Sequence, residues 1–142
     1  MFLNKKIIGL IPARSGSKGI KNKNMQKIGK NSLIGHAVTF INSLNLLDYK
    51  LISTDSKLYI EEAKRFGLNN YLLRSKNLSS DNASIIDVIN NAIKFAEKKN
   101  KLYFDYLLLI EPTSPFRLKT DILKCIKIAI QKKAHSVFTV SK

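Results

Sequence analysis

The segment RSGSKGIKNKN, residues 14–24, follows an apolar run and precedes the first stripe of helical period. Arg14, Lys18, Lys21 and Lys23 set four cations within ten residues, interleaved with Gly16 and Gly19 and with the polar Ser15, Ser17, Asn22 and Asn24. That combination suits a polyphosphate. Glycines admit a close approach of the backbone, the N–H groups of a turn form an anion-binding nest, and Arg14, Lys18 and Lys23 neutralise phosphate charge. Two familiar phosphate loops are excluded by spacing. A Walker loop needs a glycine directly before its lysine, where Ser17 stands, and G-x-G-x-x-G is absent because two residues separate Gly16 from Gly19. The competing reading is a solvated loop in a lysine-rich chain.

A second segment with chemical character is EPTSPFR, Glu111 to Arg117, directly after the apolar run YLLLI. Nucleophilic catalysis has no support. Cys125 falls on a predicted helix without a base at hand, and His36 and His135 have no partner pattern, so both histidines read as structural.

Apolar runs that alternate with helical stripes must position these loops. Lys6 to Ile11 reads as a strand buried on both faces. Ser32 to Leu44 carries Leu33, Ala37, Phe40, Ile41 and Leu44 on one helical face. Tyr49 to Ser53 is a strand running into STDS, where Asp55 or Ser56 can cap a helix to about Phe66; Asp55 is the favoured cap, and Gly67 suits the helix end. Tyr71 to Leu73 is a third strand. Ser84, with Asp87 three residues on, opens a helix whose core face is Ile85, Ile89, Ala92, Ile93 and Ala96. Tyr106 to Ile110 is the most apolar strand and is expected at the centre of the sheet. A helix over Thr120 to Lys132 and a strand from Ser136 to Val140 complete the pattern.

Such alternation predicts an α/β fold with an open, mostly parallel sheet covered by helices on both faces. With the four main strands in the order 3-2-1-4, the basic loop and EPTSPFR leave neighbouring strands and flank one crevice at the carboxyl edge, where ligands of such sheets bind.

Composition narrows the alternatives. A chain of 142 residues is one domain's worth, and its single cysteine excludes a disulfide framework and a cysteine-based zinc cluster. No apolar run approaches the roughly 20 residues that span a bilayer, and IIGLI is too short for a secretory core, so a cytoplasmic protein without membrane partners is expected. The formal charge of +15 raises nucleic acid as a partner. It is carried mostly by lysines, which read as solvated surface. The four arginines, Arg14, Arg65, Arg74 and Arg117, are more informative.

IPARSGSKGIKNKN, STDS, RSKNLSSDNAS and PTSPFR, in this order and spacing, resemble the acylneuraminate cytidylyltransferases, or CMP-sialic acid synthetases, along essentially the whole chain. GSKGI is similar to the sialic and legionaminic acid branch, the CMP-legionaminic acid synthetases included, rather than the pseudaminic one. The resemblance implies a nucleotide-diphospho-sugar transferase-like fold. It also implies an enzyme that joins a nine-carbon sugar acid to CMP, using CTP and magnesium and releasing pyrophosphate. It places Ala13, Arg14, Ser17, Lys18 and Lys23 on the triphosphate loop, with Arg14, Lys18 and Lys23 as the catalytic cations, and Asn24 on the next nucleotide contact. Arg74 matches an arginine at the cytosine pocket, with Ala83 and Ser84 in the segment that meets the base. Glu111, Pro112, Thr113 and Ser114 fall on the loop between nucleotide and sugar; Glu111 replaces the family's common Gln. For this chemistry catalysis is mostly positioning and electrostatic stabilisation of a leaving pyrophosphate.

The resemblance further implies that residues 1–142 are the nucleotide-binding part of a single cytidylyltransferase domain, truncated at its C-terminus. Magnesium ligands are then expected beyond residue 142, along with the segment for a homodimer, and turnover by this chain alone is expected to be weak or nil. The alternatives are a deoxy-octulosonate-type nucleotidyltransferase and a basic nucleic-acid-binding module. Ser84 also reads as a plain helix cap, Asp81 as a brace of its own turn with a direct ligand role as the alternative, and Arg117 as a lock on PTSPFR through carbonyl hydrogen bonds with a reach to substrate as the alternative.

Overall fold

A computed structural model describes residues 1–16 and 19–140. In chain order its elements are β1 (Ile7–Pro12), the short β2 (Lys27–Ile28) and β3 (Asn31–Ser32), α1 (Leu33–Asn42), β4 (Tyr49–Thr54), α2 (Lys57–Arg65), β5 (Tyr71–Leu73), α3 (Ile85–Asn100), β6 (Tyr106–Leu109) and α4 (Lys119–Gln131). A 3-10 turn, Lys23–Met25, closes the basic loop, and β2 and β3 pair as an antiparallel hairpin behind it. The sequence did not announce that hairpin, because two residues per strand carry no readable alternation.

The four longer strands form one parallel sheet in the order β5-β4-β1-β6, which is the 3-2-1-4 order expected. Leu10 lies opposite Leu51 of β4 on one side and Leu109 of β6 on the other. β1 therefore has neighbours on both edges and helices over both faces, which accounts for its unbroken apolar run. Ile7, Ile11 and Ile52 pack with Ile34, Ala37, Val38 and Ile41 of α1, with Tyr59 and Ala63 of α2, and with Ile126 of α4. Leu10 and Leu51 face the other way, onto Ala92 of α3. Fully burying an aliphatic chain such as Ile34 or Ile41 stabilises by about 1.5–3 kcal/mol.

Local signals fix where the helices begin. The Ser32 hydroxyl accepts from the Gly35 N–H (2.9 Å) and donates to the Glu62 carboxylate (2.6 Å), which ties the start of α1 to α2. Ser56 caps α2 by accepting from the Tyr59 N–H (3.4 Å), so the favoured cap, Asp55, is not the one used. Gly67, at φ +91°, ends α2 in a conformation that suits glycine.

Three further expectations are corrected. β6 is an edge strand among the described residues, pairing only with β1, and its side chains are half-buried. Its apolar sequence reflects two covered faces, not two paired edges. Ser136 to Val140 forms no strand. Phe138 and Val140 are 77% and 79% exposed, and β-propensity without a pairing edge does not hold a segment extended in a sheet. Ile85, placed on the core face of α3, is 46% exposed; Val88, Ala92 and Ala96, four apart, are the buried stripe.

Candidate nucleotide-binding crevice

Because the four strands run in parallel, the loops that follow them leave from one edge of the sheet. Two backbone bonds extend the ladder a residue beyond the strands. The buried Ala13 donates its N–H to the Ser53 carbonyl (2.9 Å), and Arg74 donates to the Thr54 carbonyl (2.7 Å). The sheet thus fixes the backbone just before Arg14 and at Arg74.

Two aspartates then set the shape of the basic loop. Asp55, at the end of β4, accepts from the Ser15 N–H through Oδ1 and from the Ser15 hydroxyl through Oδ2, both at 2.8 Å. Arg14 Nη1 donates to Asp81 Oδ1 at 2.6 Å across 67 residues of chain. The Arg14 carbonyl accepts from Nδ2 of the buried Asn24 (3.2 Å), which folds the loop back onto its own start. Lys23 is half-buried on the 3-10 turn beside Asn24. Ser17 and Lys18, two of the expected triphosphate residues, lie outside the described residues. A Cβ added at Gly16 or Gly19 would meet no atom within 4 Å, so the space beside both glycines is open. The Ser15 N–H, by contrast, is already engaged by Asp55 and is not part of an open nest.

Arg74 is the most constrained cation, at 8% exposed. Its Nη1 donates to the Leu78 carbonyl (3.2 Å), while Nε is buried without a partner among the described residues. Burial pulls its pKa below the ordinary arginine value; the Asp55 carboxylate opposes that shift, and the nearby positive Arg14 adds to it. The Tyr59 hydroxyl is likewise buried; burial, with the Asp55 charge, raises its pKa, and the Asn24 backbone opposes that shift.

The other expected residues divide. Ala83 is half-buried in the turn before α3, with its N–H on the Ser80 carbonyl (3.2 Å). The Ser84 hydroxyl accepts from the Ile86 N–H (3.2 Å), so it serves as the cap of α3. Glu111, Thr113 and Ser114 are exposed and Pro112 is buried. The Glu111 carbonyl accepts from Arg117 Nη2, and the Arg117 guanidinium lies 5.5 Å from the Phe40 ring centroid, so Arg117 does lock this loop. Among the described residues no hydrogen bond or ion pair joins residues 111–117 to the basic loop. The contacts instead tie the basic loop to the end of β4, through Asp55, and to the turn before α3, through Asp81.

Nor do the described residues form a metal centre, since no group of three or more His, Cys, Asp or Glu side chains could hold an ion. Asp55 and Asp81 are engaged by Ser15 and Arg14, which does not fit a magnesium ligand pair. The arrangement can bind a polyanion: Arg14 and Arg74 converge at one end of the sheet, one with an unmet buried donor.

Sequence reasoning missed the Asp55–Ser15 and Arg14–Asp81 pairs. One signal could have found them. Only ten acidic residues oppose 25 basic ones, and two of the ten, Asp55 and Asp81, fall in STDS and SSDNAS, segments already singled out beside the basic loop's motif.

The Cytidylyltransferase family matches residues 8–141 of this chain. The N-acylneuraminate cytidylyltransferase of Escherichia coli O18:K1:H7 is 35% identical over 125 residues, 87% of this chain and 28% of that protein. A pseudaminic acid cytidylyltransferase of Campylobacter jejuni is also 35% identical, over 134 residues, 94% of this chain and 57% of that protein. The chain thus spans less than two thirds of either relative, and identity does not favour the sialic over the pseudaminic branch. The solved structure of CMP:2-keto-3-deoxy-manno-octonic acid synthetase complexed with CTP matches with a TM-score of 0.74 at 18% identity, over 92% of this chain and 49% of that one. At that identity the match speaks for the fold. No helix among the described residues is long and apolar enough to cross a membrane.

Proposed function

Since the chain belongs to the Cytidylyltransferase family, we propose that its crevice binds CTP for cytidylyl transfer to a nine-carbon sugar acid of the sialic or legionaminic type. The observation that carries the reading is Arg74, a buried guanidinium whose Nε has no partner among the described residues, beside Arg14 at the carboxyl edge of a parallel sheet. A buried donor left unmet costs about 1–3 kcal/mol, and an anion or a base carbonyl in the crevice removes that cost.

In the reaction, a sugar hydroxyl attacks the α-phosphorus in line and pyrophosphate leaves. Arg14 and Lys23 hold the triphosphate against that build-up of charge. Arg74 and the turn at Ala83 and Ser84 face the base, and Glu111 to Ser114 lie toward the sugar. Magnesium, when bound, supplies charge on the phosphate oxygens; the described residues make no ligand set for it, and no step here is assigned to it. The reading fits a cytoplasmic enzyme that activates sugars for cell-surface polysaccharide.

Calorimetry with CTP, GTP and ATP tests the reading. CTP is expected to bind at least tenfold more tightly than either purine nucleotide. Equal binding of all three would remove cytosine recognition from the crevice, and binding of none would remove the triphosphate site with it. Tight retention of RNA with a steep salt slope would favour a nucleic-acid module instead.

A further inference from the structure

Arg14 is not waiting empty-handed for a phosphate. Its Nη1 is 2.6 Å from Asp81 Oδ1, and both side chains are reachable from solvent, 37% and 39% exposed. We propose that Asp81 is a built-in competitor for the triphosphate. It occupies Arg14 when the crevice is free, and a phosphate oxygen displaces it when nucleotide binds. The proposal rests on the triphosphate reading above and adds how that site is kept closed.

The two loop aspartates differ in the way this role requires. Asp55 accepts two bonds from Ser15, one of them from a backbone N–H, at a strand end whose own backbone is in the sheet. Its job is to hold the loop. Asp81 sits in the exposed turn before α3 and meets the tip of a long side chain. An exposed ion pair of this kind is weak, because water and salt screen it, so a polyphosphate that also meets Arg74 can displace it.

Charge supplies the second argument. Arg14 and Arg74 are close enough for each to oppose the other's charge, and Asp55 is committed to Ser15. A carboxylate on Arg14 offsets that repulsion until an anionic ligand takes over.

A double-mutant cycle on the 142-residue chain tests this, with inorganic tripolyphosphate and CTP as probes in titration calorimetry. Asp81→Asn is expected to tighten both probes three- to fivefold, since the competitor is gone. Arg14→Gln is expected to weaken both about tenfold, and Arg14→Gln/Asp81→Asn is expected to match Arg14→Gln within twofold. Asp81→Ser, at the same exposed position, must repeat the Asn result in a chain that melts cooperatively.

A gain that persists without Arg14 would show a general field effect and overturn the proposal. So would unchanged or weaker binding by Asp81→Asn, or a gain confined to CTP. If Arg14→Gln leaves tripolyphosphate binding intact, the triphosphate reading itself falls. If Arg14→Gln weakens binding but Asp81→Asn does not tighten it, the competitor alone falls.

Discussion

The two flanks of the sheet are built differently. On the flank of β1 and β4, Ile7, Ile8, Leu10, Ile11, Leu51 and Ile52 are at most 1% exposed, and the loops above them are cross-tied by Asp55 and Asp81. On the flank of β6 and α4, Tyr106 to Leu109 are all half-buried, and α4 buries only Ile126. A cavity of about 830 Å³ opens beside β6 between Ile86, Leu107, Cys125 and Ala129. Arg14 and Asp55 therefore follow fully packed central strands, whereas the 111–117 loop follows the edge strand β6, and Arg74 follows the other edge strand, β5, whose Tyr71 and Leu73 are exposed. Sites hold their geometry when rigid elements support them, so the Arg14 and Asp55 side is expected to be preformed while the sugar side is not.

Core truncation on each flank gives the largest effect. Ile52→Ala, at a fully buried position, is expected to cost about 2–5 kcal/mol in urea denaturation. Leu107→Ala, which lines the open cavity, is expected to cost about 1 kcal/mol, because fewer atoms surround the side chain it removes. Equal losses would mean that the flanks are equally packed and would remove the contrast.

The sequence carried the better-built flank more fully than the other. The period and end signals of Ile7–Pro12, Leu33–Asn42 and Tyr49–Thr54 are strong because each strand or helix is buried where its pattern says; the 3-2-1-4 order was a supposition, and it is the order found. YLLLI and SVFTV misled. An apolar run reports how many faces are covered, and pairing at its edges depends on residues elsewhere in the chain. In the candidate site, Arg14, Asn24 and Arg74 were named from the family resemblance, and the structure brings them together at one end of the sheet. The partners that orient them were not, since Asp81 reaches Arg14 across 67 residues that no local pattern connects.

Arginine replacements on the two flanks separate ligand binding from bracing. Arg74→Gln is expected to weaken CTP binding at least tenfold, about 1.4 kcal/mol, with little change in melting, because the folded chain already bears a buried guanidinium with an unmet donor. Arg117→Gln removes the hold on the Glu111 carbonyl and the contact with Phe40. Its expected cost is about 1 kcal/mol of stability, with CTP affinity unchanged. If Arg117→Gln weakens CTP as much as Arg74→Gln does, the 111–117 loop belongs to the nucleotide site and the division between flanks is misplaced.

The smallest effect lies at the opposite edge of the sheet, where each flank clamps the start of β1 with an aspartate. Asp48, before β4, accepts from the Ile7 N–H (2.8 Å) and pairs with the N-terminal amine (2.6 Å), and its side chain is 18% exposed. Asp105, before β6, accepts from the Lys6 N–H (2.8 Å) and pairs with the Lys5 ammonium (2.9 Å), at 36% exposure. Burial by itself would raise the Asp48 pKa, but the bonds from the amine and from Ile7 outweigh it and leave the pKa below 3.8. The Lys5 bond, followed by the Lys6 N–H, lowers that of Asp105. A depressed carboxylate contributes stability that is fully present above its unfolded pKa and is lost as pH falls through its folded one, so both contributions fade below about pH 4. Between pH 6 and pH 3, Asp48→Asn is therefore expected to flatten the acid loss of stability by about 0.5–1 kcal/mol in urea midpoints, and Asp105→Asn to leave it nearly unchanged. The reverse ranking would mean that the β6 flank holds β1 more firmly than the β4 flank does, which the packing above does not allow.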